Sequence, residues 1–136
     1  MTCGPGALRT PGATEDPQEP TMTTKITKLE AATSAHDAAE AAWERAAYVH
    51  GQVLRVCRTL REGGTINERA EDVLVDAVRA KIGSKAYNLG HEVLAEQARS
   101  ITYAAQTEAF AAWTAAIDAL EAAEKAAARN ARRRAA

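Results

Sequence analysis

Proline is absent from the chain after residue 20, and tryptophan, tyrosine and phenylalanine together make only 4% of its 136 residues. The first absence leaves everything downstream free of the residue that breaks helices. The second comes with a shortage of aliphatic bulk: Ile, Leu, Val and Phe number 21, about 15% of the chain and below the share of an ordinary globular domain. A thick core is therefore excluded. Only two cysteines are present, Cys3 and Cys57, too few for a disulfide framework, so a reducing cytoplasm is the expected compartment. No apolar run has the length of a signal peptide or a membrane helix, and neither end carries a lipid-attachment pattern. Strand-forming residues neither cluster nor alternate, which removes a sheet. The formal net charge is only -1, so the strong self-repulsion that accompanies disorder is missing too.

Chemical signatures are equally sparse. There is no Gly-x-Ser-x-Gly, and Gly63-Gly64 is followed by Thr65 without a phosphate-binding lysine. No Glu-x-x-His exists, which argues against a carboxylate-bridged di-iron bundle. His36 and His50 lie about 21 Å apart along a helix and His50 and Cys57 about 10 Å, too far to share a metal or to form a nucleophile pair. Folding the chain back about the glycine pair sets His36 opposite His91, read here as two seam histidines bonded to neighbours rather than a zinc site, which needs three or four ligands. Glu40, Glu44, Glu92, Glu96, Glu121 and Glu124 fall at helical spacing opposite the apolar stripe, as a solvated face does. No catalytic residue, cofactor, metal or small-molecule substrate is expected.

What the chain has is alanine, 33 residues of it, the strongest helix former. Residues 1–23 hold all four prolines and three of the eight glycines, and are expected to be a disordered tail. Met22 is expected as an alternative to Met1 for the true start of the chain, with the first 21 residues then a dispensable leader. The first helix is expected over about 24–61, opened by a capping box at Thr27/Glu30 or Ser34/Asp37. Leu29, Ala32, His36, Ala39, Trp43, Ala46, His50, Val53, Cys57 and Leu60 follow the 3-4 spacing of a coiled-coil seam. Gly63-Gly64 then commands a turn, and Thr65 with Glu68 makes a second capping box.

A second helix is expected over about 66–102, with a break at Gly83 as the competing reading. Folded antiparallel about the glycines, it sets Leu54 opposite Val73, Val49 opposite Val78, Trp43 opposite Gly83 and Ser84, and Ile26 opposite Ile101. A third stretch, 103–128, carries Tyr103, Phe110, Trp113, Ile117 and Leu120 near heptad spacing and has no partner in that hairpin. Either it projects as an overhanging arm, or the chain bends near Ser100-Ile101-Thr102 and folds it back on Leu94, Gly90 and Tyr87. The fold class is thus all-α: a long antiparallel hairpin or a three-helix bundle with coiled-coil-like packing. Residues 129–136 form a basic tail with Arg129, Arg132, Arg133 and Arg134.

From this follows the expectation of a non-enzymatic interaction or assembly protein, homo-oligomeric or docking a partner helix through Tyr103, Phe110, Trp113, Ile117 and Leu120. The alternative is a nucleic-acid-binding accessory protein whose four C-terminal arginines grip phosphates weakly and without sequence preference.

Overall fold

The computed structural model describes residues 26–135, and the expected N-terminal tail and the choice between Met1 and Met22 lie outside them. The described residues form three α-helices and a short 3-10 segment, with no strand among them. Helix α1 spans Lys28–Arg61, α2 spans Glu68–Ile82, the 3-10 segment spans Gly83–Asn88, and α3 spans His91–Ala135.

Each boundary has a local cause. Thr27 and Glu30 form the capping box of α1, the Glu30 amide donating to Thr27 Oγ1 at 3.0 Å and the Thr27 amide to Glu30 Oε1 at 2.9 Å. At the other end Gly63 takes φ 82°, and the amides of Gly63 and Gly64 return to the carbonyls of Leu60 and Thr59. That double closure is a Schellman motif, which needs the left-handed residue that glycine supplies. The next helix starts two residues later than its expected start at Ile66. Asn67 rather than Thr65 caps it, its side chain accepting from the Ala70 amide at 2.8 Å, so the Thr65/Glu68 box does not form.

The largest departure from expectation is at Gly83, where the second helix ends after 15 residues instead of running to 102. Gly83 adopts φ 73°, ψ -151°, a region essentially confined to glycine. No atom lies near the space its missing side chain would occupy, so the glycine serves the backbone and does not make room for the Trp43 ring. The 3-10 segment then turns the chain, and α3 runs unbroken through Ser100-Ile101-Thr102 for 45 residues, roughly 67 Å. Neither a bend at 100–102 nor a separate helix beginning at 103 exists.

Because α2 is short, the main partner of α1 is α3. His50 meets Thr102, Cys57 meets the Ala95 carbonyl, and Trp43 meets Phe110 and Trp113, so the two long helices are antiparallel. The long hairpin is real, but its arms are the first and last helices. All ten seam positions of α1 are buried or half-buried, now under α3. The glycine-centred register holds only near the turn, where Val53 and Leu74 share the core; farther out Leu54, Val49 and Ile26 are exposed, and His36 and His91 bond to Asp37 and Glu71.

Two regions result. In the head, α2 and the 3-10 segment pack on the adjoining ends of α1 and α3, and Val53, Leu74, Val78, Ala86, Leu94 and Ala98 reach full or nearly full burial. In the stalk, Lys28–Val49 and Tyr103–Ala135 have only each other, and no side chain there is fully buried.

Candidate interaction surface of the stalk

Trp43 stacks on Trp113 with ring centroids 4.8 Å apart and a 19° interplanar angle, and Phe110 packs edge-on against Trp113 at 6.1 Å. This cluster locks the stalk's register. Trp113 therefore spends its ring inside the hairpin, while its Nε1 is buried without a hydrogen-bond partner among the described residues, an arrangement costing about 1–3 kcal/mol. Ile117 and Leu120 are likewise half-buried on the face of α3 that continues Trp113. Of the five residues expected to form an interface, only Tyr103 and Phe110 remain open, 62% and 51% exposed.

Those two line an open groove of about 350 Å³ with Trp43, His50, Gln106 and Thr107. His50 closes it at the head end. The Thr102 hydroxyl donates to the Ala98 carbonyl at 2.8 Å and so accepts from His50 Nδ1 at 2.8 Å, which places the ring proton on Nδ1. Nε2 keeps its lone pair and has no partner among the described residues. Burial first, and Arg99 second, hold His50 below its ordinary 6.5. Ala42, Ala46, Val49 and Ala105, with Arg45 and Thr102, line a second open trough of about 380 Å³.

At the free end, α3 stays helical to Ala135, so Arg129, Arg132, Arg133 and Arg134 belong to a helix and not to a loose tail. All four are exposed and none makes a salt bridge among the described residues. They also complement the negative end of the helix dipole.

Comparison of the chain with protein families, with curated proteins and with solved structures found no match.

The remaining chemical groups are quiet. Burial pushes the Cys57 thiol up, against the pull of Arg99 and Arg61, which makes it a poor nucleophile at neutral pH. His36, Asp37 and Glu40 bring ligand atoms within 4.8 Å of one another, a grouping of one imidazole with two carboxylates on neighbouring turns that histidine and cysteine spacing does not reveal. The His36–Asp37 contact at 3.1 Å already occupies that imidazole nitrogen. Among the described residues no helix is long and apolar enough to cross a membrane.

Proposed function

We propose that this chain is a non-enzymatic helical assembly protein that associates with a second copy of itself through the stalk. The observation that carries the reading is the half-open aromatic cluster: Phe110 is packed against Trp43 and Trp113 on one side and is 51% exposed on the other. A two-helix stalk offers each helix one partner and covers one stripe per helix. Large aromatic groups left half-covered on such a stripe supply the rigid apolar anchors that interfaces favour.

Light scattering tests this. The full chain should have twice its monomer mass at micromolar concentration, and Phe110→Glu should reduce it to monomer mass with its helical circular dichroism unchanged. A strict monomer at high concentration would overturn the proposal. Tyr103→Glu, at an exposed ring outside the Trp43–Trp113 stack, is the second variant and should also give monomer mass, which separates loss of the interface from an opening of the hairpin by Phe110→Glu.

A further inference from the structure

Four exposed side chains lie along one face of α3: Tyr103 and Phe110 near the head, Lys125 and Arg132 near the free end. At 100° per residue these positions stay within about 60° of one another around the helix. The aromatic pair is separated by seven residues, and so is the cationic pair. An isologous contact uses the same face twice. If two such faces meet antiparallel about a point between Ile117 and Asp118, Arg132 of one copy falls on Tyr103 of the other, Lys125 falls on Phe110, and Thr114 meets Glu121. All of these matches occur in a single register, and the two-fold symmetry repeats each of them.

We infer that the stalk pairs antiparallel, with the cationic end of each copy seated on the aromatic groove of the other. The inference rests on the self-association reading above and adds its orientation and register. Charge favours it independently. In a parallel pair, Lys125, Arg129, Arg132, Arg133 and Arg134 of two copies would lie side by side and repel. In the antiparallel pair the two cationic ends lie at opposite ends of the contact, and Lys125 and Arg132 rest against aromatic faces, which attract cations. The free end of α3 has the reach for this contact because the antiparallel register places Lys28, the first residue of α1, beside residues 124–128. The last turns of α3 therefore extend beyond α1.

Disulfide trapping separates the arrangements. In a background of Cys3→Ser and Cys57→Ala, one preparation carries Thr107→Cys and another Ala128→Cys, two positions that face each other in this register without replacing any of the four contact residues. Mild oxidation should give a covalent dimer when the two preparations are mixed and none when either is oxidised alone. Covalent dimers from either preparation alone would mean parallel pairing; they would overturn the orientation and leave self-association standing. Monomer mass throughout would overturn both.

A second measurement guards against trapping artefacts. Arg132→Glu should weaken the dimer at least tenfold by sedimentation, whereas Arg134→Glu, on the opposite side of the helix, should change it by less than threefold. Equal effects of the two variants would overturn the register. A chain that stays monomeric but binds a DNA duplex at low salt, and loses that binding on Arg132→Glu and Arg134→Glu alike, would assign the arginines to phosphate and overturn the inference.

Discussion

The head and the stalk use the same two helices and differ only in whether a third element lies over them. In the head, α2 and the 3-10 segment cover α1 and α3, and Leu74, Val53 and Val78 are 0% exposed. In the stalk the uncovered helices bury small alanines halfway and rely on three aromatic rings for their heavier contacts. A helix needs roughly a 100° apolar stripe to be held by its neighbours, and a lone pair of helices leaves the edges of that stripe in water. Stability thus concentrates where three elements meet, and unmet apolar surface concentrates where two do.

The sharpest way to break this contrast is a large-to-small change in the head. Leu74→Ala removes a fully buried side chain and should cost about 3 kcal/mol, read as a fall in urea midpoint. A smaller loss would mean that the head collapses readily around the cavity. Next in size is Gly83→Ala, which forces a side chain into backbone geometry reserved for glycine and should cost about 2 kcal/mol. Hydrogen exchange should show its effect first in α2 and the 3-10 segment. Loss of protection beginning in the stalk would contradict the division.

The smallest effect is that of pH, and it lies at the border between the two regions. His50 is only 9% exposed and has its proton affinity lowered in the folded state. The unfolded chain therefore binds the extra proton first as pH falls. The contribution of His50 to stability is complete above 6.5, is lost as pH drops below that value, and levels off below the folded-state value. His50→Gln should flatten the part of the melting-temperature profile that this ring controls. A slope identical to that of the parent chain would assign the effect to other groups.

Much of this organisation was legible before any coordinates. The seam from Leu29 to Leu60, the Thr27 cap, the Gly63-Gly64 stop and the all-helical class all rest on short-range rules, and those rules held. The identity of the partner helix did not follow from them. Periodicity marks which face of α1 is covered, but an alanine-rich seam accepts almost any other alanine-rich stripe. Pairing the nearest helix along its whole length was therefore the natural expectation, and it failed at a single residue. A glycine at position 83 permits a break, yet its positive φ is a property of the backbone that composition does not display. Once it ends α2 after 15 residues, α1 is left to α3. The signal that pointed there was the bulk of Trp43, which needs large neighbours in an alanine-rich chain and finds them in Phe110 and Trp113.

The aromatic stack has one more consequence. Both tryptophans of the chain, Trp43 and Trp113, sit in the stalk, and the head contains none. The protein is thus optically partitioned: indole emission reports whether the two arms are together, while far-ultraviolet circular dichroism sums over every helix. Recorded on one sample during heating, the two signals would date the parting of the arms and the melting of the helices separately, with no label attached to the chain.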